Sequence, residues 1–525
     1  MKIVLFRPAL AVAVAAGCTL SAHAQSPYVG EALNYSRLQF GGPARTLGIA
    51  GANVALGADF GNLASNPAGL GLYQKSEFHL APGLGLASAD AAGTGLSRTA
   101  DKNSFHIASA GVVFTNRRPD DESGSAWRGG SFALGFTRQA DFNTSFRYSG
   151  QVAENQSFFQ RLREPGNYTN INSAGYQSEV ADLAGQDNNG QGPYSTLDGL
   201  AYGTYLTDTI YDRRSGLATL VTRLRNGAIT QGETVTTSGS ISQFDLGYGG
   251  SYKDRLYIGG AVGIVSSNRR QTRTFTESEN DPSTRFDNLQ LQDEVKTTGS
   301  GFNARVGLIY RVVDALRLGA SIQTPTFLRM TETSQMSLTS TFTPQPQDNP
   351  ANPGASASLP SAEYTYNIIT PFRASGGAAV TIGKSGFITG DAEYVGYQKA
   401  RLSSADDATY GDAEGVAADN QTIAQAYKGT FNFRLGAEAR LDIFRLRVGF
   451  ANYGDPYKNN ITSRDQRFYT AGVGLRQSNF FFDLAGVYTT FDQQYSPYSL
   501  ASGQQPVISV NNSRYTTTVT AGLTF

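Results

Sequence analysis

Residues 431–450 read FNFRLGAEARLDIFRLRVGF, and their reading decides the fold. Phe431, Phe433, Leu435, Ala437 and Leu441 share one phase of a two-residue repeat, and Arg434, Glu438 and Arg440 share the other. After Asp442-Ile443 the repeat resumes, with Phe444, Leu446, Val448 and Phe450 set against Arg445, Arg447 and Gly449. A period of two marks a strand, and two strands joined by so short a break form an antiparallel hairpin. The charges then choose the surroundings of each face. An Arg on the lipid side of a membrane strand costs roughly 2–4 kcal/mol at the midplane, so the arginines point inward and the apolar phase outward.

Working outward, the same alternation recurs along most of the chain. Fourteen candidate strands fall at about 77–88, 103–115, 130–148, 240–252, 255–275, 290–311, 315–342, 361–383, 386–404, 425–441, 444–454, 466–477, 480–492 and 512–525. An even number suits a bacterial barrel whose two termini lie on one side. From the fourth strand on, short breaks (Lys253-Asp254-Arg255, 312–315, 383–386, Asp442-Ile443, 477–479) alternate with long ones (276–290, 343–360, 405–424, 455–465, 493–511). Tight turns on one side and long loops on the other are the outer-membrane pattern. The break 116–129 is an exception, longer than its place in the alternation calls for.

The phase rule sends Arg305, Arg317, Asp391 and Glu393 inward as well. The last strand sets Tyr515, Thr517, Val519, Ala521, Leu523 and Phe525 on one face and threonines on the other. Residues 150–239 lack sustained alternation, and Leu217, Leu220, Val221 and Leu224 have helical spacing. A segment that long is expected to form an external cap, with a hidden strand pair, and so 16 strands, left open. The Pro-rich loop 343–360 is expected to be irregular and exposed.

Composition agrees. Acidic and basic residues are equal at 43 each, which gives no support to a nucleic-acid partner. Residues 1–24 carry Lys2 and Arg7, an apolar run from Ala9 to Ala16, and Ala22-His23-Ala24, the layout of a cleaved export signal. The only cysteine, Cys18, lies inside it, so the mature chain offers no disulfide and no cysteine metal site. A lipoprotein signal at that cysteine is the weaker reading, because Ala15 stands where Leu is usual. No run of 18 apolar residues follows the signal. Tyr (27), Phe (30) and Gly (59) are abundant, which suits strands that are apolar on one face only. A soluble secreted all-β protein would share that composition but has no reason for one-sided loops.

Between signal and ladder lies Gly42–Leu70, GPARTLGIAGANVALGADFGNLASNPAGL, rich in small residues and ending in the turn Asn66-Pro67-Ala68-Gly69. Asn-Pro favours turn initiation. A glycine-dense segment can approach a surrounding wall closely and so act as a plug. The block Ala44-Arg45-Thr46-Leu47-Gly48-Ile49-Ala50-Gly51-Ala52, followed by Asn66-Pro67-Ala68-Gly69-Leu70, resembles the N-terminal hatch of the FadL/TodX family. Here a single Asp59 stands where that family often has an acidic pair. The resemblance implies an all-β fold: a 14-stranded transmembrane antiparallel β-barrel of the bacterial outer membrane with its lumen plugged by a small hatch. It divides the chain into signal (1–24), hatch (25–75) and barrel (76–525, with the insertion at about 150–239). It also implies diffusive, hatch-gated uptake of long-chain fatty acids or hydrocarbons, without ATP, cofactor or metal.

Candidate site residues follow. Asn66, Pro67, Ala68 and Gly69 form the hatch turn. Arg305, Arg317, Arg434, Arg440, Arg445 and Arg447 are a lumen set that either receives a carboxylate or pairs the wall to the hatch, with Asp391, Glu393 and Glu438 as partners. Phe525, a terminal aromatic on the lipid phase, resembles the signal read by the barrel-assembly machinery. His79 and His106 lie on paired strands but have no third ligand, so neither a metal site nor a nucleophilic triad is expected. Other expected partners are hydrophobic small molecules and outer-membrane lipid. A TonB-coupled receptor needs more strands and a larger plug than this chain can supply. A secretion shuttle or scaffold resembling PorV of the type IX system is the alternative function.

Overall fold

The computed structural model describes residues 27–118, 125–164, 171–187, 196–222, 229–279, 286–343, 354–405, 413–459 and 463–525. The expected export signal, with Cys18, and Leu224 lie outside the described residues. Fourteen strands form one closed antiparallel barrel. They are β1 (Glu77–Ala92), β2 (Arg98–Arg117), β3 (Trp127–Asp141 and Thr144–Val152), β4 (Ile229–Tyr252), β5 (Leu256–Ser278), β6 (Phe286–Val313) and β7 (Leu316–Gln323 and Phe327–Phe342). The second half is β8 (Ala362–Ile369 and Arg373–Ile382), β9 (Gly386–Gly396 and Arg401–Ser404), β10 (Gly429–Leu441), β11 (Phe444–Tyr453), β12 (Gln466–Gln477), β13 (Phe480–Tyr495) and β14 (Ile508–Thr524). Closure is direct: β14 pairs with β1 from Glu77↔Thr524 to Ala92↔Ser509, which removes the sheet edges.

The outer face carries a belt of exposed apolar side chains. Phe431, Phe433 and Leu435 on β10, and Phe444, Leu446 and Val448 on β11, point outward. Glu438 and Arg447 on the same strands are buried inside. Several turns at the short-loop rim use left-handed residues, as tight hairpins require: Lys253, Asp254, Asp442 and Ser478 all have φ near +50°. At the same rim Phe525 exchanges backbone hydrogen bonds with Ser76 at 3.0 Å in both directions, and its ring is exposed on the outer face.

Sequence spacing misplaced several boundaries. β4 begins at Ile229 rather than 240, because its inward phase is polar there (Gln231, Glu233) and leaves no apolar alternation to see. Glu233 is satisfied by Arg273 at 2.9 Å and by the Tyr148 and Tyr495 hydroxyls. Leu217, Leu220 and Val221 lie on a strand, not a helix: Leu217–Thr222 pairs with Thr207–Asp212 in a two-stranded sheet apart from the barrel. Among its described residues the insertion therefore adds no new barrel strand. Within the Pro-rich loop, Gly354–Ser358 is a short strand on β7, so that loop is not wholly irregular. The 405–424 loop carries helix α7 (Ala413–Ala426), which delays β10 to Gly429.

Four strands break midway. Pro325 and Pro371 interrupt β7 and β8 side by side, since neither can donate to a ladder. Thr326 and Thr370 bridge that break, Thr370 N donating to the Thr326 carbonyl at 3.0 Å. A single 3-10 turn, Tyr397–Lys399, interrupts β9. In β3 the chain swings at Phe142–Asn143, where Asp141 accepts from the Asn143 backbone N–H at 2.7 Å.

The N-terminal segment occupies the lumen. It comprises α1 (Pro27–Ser36), α2 (Ala44–Gly48), α3 (Asn62–Ser65) and a 3-10 turn over Pro67–Leu72. Outside the barrel, α4 (Phe158–Arg163), α5 (Ala174–Asp187), α6 (Leu197–Gly203) and the two-stranded sheet form a cap. Its apolar side (Phe158, Phe159, Leu162, Leu200 and Leu206) packs on the tops of β5, β6 and β7.

Candidate functional site: a plugged lumen with a side opening

The lower lumen is filled by α2, α3 and the 3-10 turn, which touch opposite walls. α2 lies against β11 to β14, and the 3-10 turn against β4, β5 and β6. Close approach is possible because the facing wall positions are glycines. A Cβ at Gly249 would stand 2.6 Å from the Pro67 carbonyl oxygen, and one at Gly449 would stand 2.6 Å from the carbonyl carbon of Ile49. Asn66 makes the turn the sequence suggests and also reaches the wall. Its Oδ1 accepts from Ala68 N at 3.1 Å, while Nδ2 donates to Val54 O at 2.7 Å and to Leu308 O of β6 at 3.1 Å. Pro67, Ala68 and Gly69 are all buried beside it.

The polar set divides by partner. Arg305 donates to Leu63 O in the hatch at 2.8 Å and pairs with Asp245 at 3.1 Å. Arg317 donates to Leu56 O at 2.7 Å, and Asp391 accepts from Val54 N at 3.0 Å. Arg447 bridges Glu438 and Asp483 at 2.8 and 2.7 Å, with all three side chains buried. Arg440 joins Glu438 at 3.0 Å, and Arg45 of the hatch reaches that carboxylate at 4.0 Å and Asp59 at 3.6 Å. Higher up, Glu393 takes Arg373 and Arg434, each at 3.1 Å. Arg445 instead folds onto the turn, donating to Phe444 O at 2.7 Å, and enters none of these clusters. Eight of the nine (Arg305, Arg317, Asp391, Glu393, Arg434, Glu438, Arg440 and Arg447) thus hold wall to wall or wall to N-terminal segment, and Arg445 alone does not.

The upper lumen is different. Helix α1 buries Val29, Leu33 and Tyr35 among Leu328, Tyr366, Ile368 and Tyr397 of the wall and Ile423 of α7. Its polar ties include one ion pair, Glu31 to Arg269 at 2.9 Å, and hydrogen bonds to its backbone from the Tyr427 hydroxyl (Val29 O, 3.0 Å) and from Arg373 (Ser36 O). Beside it lies a cavity of about 310 Å³. Phe142, Phe146 and Tyr495 give it an apolar side, and Arg37, Arg269, Arg464 and Arg514 a cationic one. Arg37 donates to Arg464 O at 2.6 Å, yet its buried Nε has no acceptor. The Arg464 guanidinium lies 4.0 Å from the centre of the Tyr457 ring. None of these four arginines was singled out from the sequence. The phase rule finds Arg269 and Arg514, which share the inward phase of Val265 and Thr518, whereas Arg37 and Arg464 lie off the strands and leave no period to detect.

From this cavity a smaller one leads sideways. It is lined by Gln39, Phe40, His106, Ala108, Arg138 and Ala140, and it shares Asp141 and Arg514 with the larger. It ends where the wall parts. β2 and β3 pair only from Ser109↔Thr137 to Arg117↔Gly129; above that level β2 pairs with β1 alone, and the second half of β3 pairs with β4 and, at its top, with Gly95-Leu96 between β1 and β2, which bounds the gap from above. Ala108 and Ala140 flank the gap. His106 stands at its edge, while His79 is buried with its Nε2 2.9 Å from Ser109 Oγ and its ring against Phe60. Among the described residues no group of three metal-ligating side chains comes together.

No family model matches the chain, and no curated protein does. Solved structures do. A FadL homologue from Pseudomonas aeruginosa superposes with a TM-score of 0.50 at 11% identity, over 93% of this chain and 98% of that one. The TodX monoaromatic hydrocarbon channel, in its deltaS2 mutant, gives 0.50 at 11%, over 92% and 98%. The Ralstonia pickettii toluene transporter TbuX gives 0.47 at 14%, over 93% and 99%. Identities this low speak to architecture, and on that ground the chain has the FadL-type fold, a 14-stranded transmembrane barrel with its lumen occupied by its own N-terminal segment.

Proposed function

We propose that this chain is a bacterial outer-membrane channel through which long-chain fatty acids or similar hydrophobic molecules diffuse inward. The carrying observation is the run of cavities from the upper lumen to the gap between β2 and β3, above a lower lumen closed by polar contacts. A molecule entering beneath the cap meets a cavity whose volume falls at the lower end of ligand pockets. Its route out is sideways, into the membrane, rather than down past the hatch. Gating falls to α1 and to residues 37–42, the part of the N-terminal segment that borders both cavities.

Affinity and orientation come from different sources. Burying ~14 methylenes contributes on the order of 10 kcal/mol before binding costs, at ~0.8 kcal/mol each. A charge-assisted hydrogen bond adds roughly 1.5–3 kcal/mol. The chain is therefore held by the apolar side, and Arg37 with Arg464 sets where a carboxylate rests. Arg305, Arg317, Arg434, Arg440 and Arg447 act as wall-to-wall and wall-to-hatch clamps in this reading. Phe525 serves insertion by the assembly machinery, and the work is passage, not catalysis.

The test is to fill the gap. Ala108→Trp combined with Ala140→Trp should abolish uptake of a radiolabelled long-chain fatty acid while the barrel remains heat-modifiable and correctly inserted. Uptake equal to wild type in that variant would overturn the sideways route. Uptake no greater with the wild-type chain than without it would return the secretion-scaffold alternative.

A further inference from the structure

The outer face of the barrel holds a groove of about 600 Å³ where β7 and β8 are broken by their prolines. Pairing register makes its floor and rim into two rows of outward-facing side chains. The lower row runs Ile264, Phe302, Phe327, Ile369 and Arg401, each the direct cross-strand partner of the next. The upper row runs Ser266, Ser300, Arg329, Asn367 and Ser403, partnered in the same way. Four neighbouring apolar side chains thus lie directly beneath a row in which the only charge is a cation.

This step is the upper edge of the apolar belt. Below it on β6 the outward phase reads Phe302, Val306, Leu308 and Tyr310, all exposed; above it come Ser300, Thr298 and Lys296. On β5, Ile258, Val262 and Ile264 give way to Ser266, Asn268 and Arg270 in the same manner. The edge faces the long loops, so in the reading proposed above it is the outer-leaflet boundary. Phe302 and Phe327 stack with centroids 5.4 Å apart, giving the floor a flat apolar plate. Arg329 and Arg401 are exposed; Arg401 donates through one terminal nitrogen to the Gln398 and Ala400 carbonyls at 3.1 and 2.8 Å, and Lys399 stands over the Phe372 ring at 5.6 Å.

We propose that this groove seats a phosphorylated, multiply acylated glycolipid of the outer leaflet, with acyl chains on the plate and phosphates on Arg329 and Arg401. The inference rests on the outer-membrane reading and adds a binding site on the opposite face of the wall. Width favours this lipid over a two-chained phospholipid. The four apolar side chains span three intervals of ~4.8 Å, or about 14 Å, room for several acyl chains abreast. Arg329 and Arg401 are two strands and two residues apart, about 12 Å, which suits two phosphates separated by a sugar pair rather than a single phosphodiester. Charge-assisted bonds to phosphate are worth about twice neutral ones, so the cations choose the head and the plate only the tail.

The measurement is native mass spectrometry of the whole barrel from phosphatidylethanolamine nanodiscs doped with diphosphorylated lipid A, with dephosphorylated lipid A, or with phosphatidylglycerol. Diphosphorylated lipid A should be retained on the wild type. Arg329→Gln with Arg401→Gln should retain it about tenfold less, both positions being exposed and remote from the lumen. Phe327→Ala should weaken all the acylated probes alike. Equal retention of dephosphorylated lipid A, or by the Arg double variant, would overturn the site, and equal retention of phosphatidylglycerol would overturn the glycolipid assignment. Failure of the outer-membrane reading would look different, since the wild-type barrel would then be missing from outer-membrane fractions.

Discussion

The lower and upper halves of one lumen are closed by the same N-terminal segment in opposite ways. Below, the hatch meets the wall through hydrogen bonds, buried ion pairs and glycines, with backbone almost touching backbone. Above, α1 rests among aromatic and aliphatic side chains with one ion pair and two hydrogen bonds to its backbone, next to a cavity. Polar contacts buried in a dry wall are costly to break singly, because each broken one leaves an unsatisfied group. Apolar contacts can be exchanged for those of a hydrophobic guest at little cost. In the function proposed above, the lower contacts are the permanent seal and the upper ones the replaceable seal.

The largest expected effect comes from removing both. Deleting residues 26–70 should leave a heat-modifiable barrel that conducts ions in planar bilayers, where the intact chain conducts little. A deletion that assembles yet conducts no more than wild type would show that the segment does not seal the lower lumen. A smaller deletion, 26–36, sharpens the comparison: it removes α1 only, and conductance should stay near wild type because the lower seal remains.

Next in size is the ion-pair cluster. Arg447→Ala leaves Glu438 and Asp483 buried without their shared cation, and removing one partner of a buried pair costs about 3–5 kcal/mol. The urea midpoint for unfolding in detergent should fall accordingly. Glu438 keeps Arg440 at 3.0 Å and Asp483 keeps Arg476 at 3.3 Å, so the loss should fall toward the lower end of that range, and adding Glu438→Gln and Asp483→Asn should restore only part of it. An unchanged midpoint for Arg447→Ala would mean that the lower lumen is wet enough to solvate the carboxylates, and the contrast between the halves would weaken.

Asn66→Ala comes third. It removes the donors to Val54 and Leu308 and the acceptor for Ala68 N, three bonds at roughly 1 kcal/mol each. The barrel should unfold at nearly the wild-type midpoint, while protease cleavage within the hatch should become measurable. No gain in cleavage would show that the glycine-lined fit alone holds the turn.

How much of this was legible depended on where chemistry and period coincide. β10 and β11 were plain because every inward residue that mattered was charged and every outward one apolar. The start of β4 was hidden because Gln231 and Glu233 face inward beside outward threonines, so polarity does not alternate. The hatch stood out by its glycines and its Asn-Pro turn, yet their counterparts in the wall, Gly249, Gly307 and Gly449, look like any others until the close approach is seen. The arginines of β6, β7, β10 and β11 could be placed in the lumen with Asp391, Glu393 and Glu438 as a pool of partners, but which pairs with which depends on register across the barrel. The upper cavity was the least visible, built from a helix end, a loop and two strand tops with no common spacing.

The smallest effect lies in the cap. Asp198, in the first turn of α6, is buried among apolar neighbours, and desolvation raises its carboxyl to about 6, with Arg161 opposing the shift. The folded cap therefore favours the protonated form more than an unfolded cap does. The stabilisation is full below the unfolded carboxylate range and is lost as pH rises toward 6. The cap should accordingly resist protease better at pH 5 than at pH 7, without change in the barrel midpoint, because α6 packs on strand tops and not on the lumen seal. Asp198→Asn cannot titrate and should hold the low-pH resistance across that interval. Wild-type cleavage independent of pH would place Asp198 in water and loosen the cap from β5 to β7. A barrel midpoint that moved with pH alongside the cap would instead tie the cap to the seals below, and the lumen would then behave as one cooperative unit rather than two.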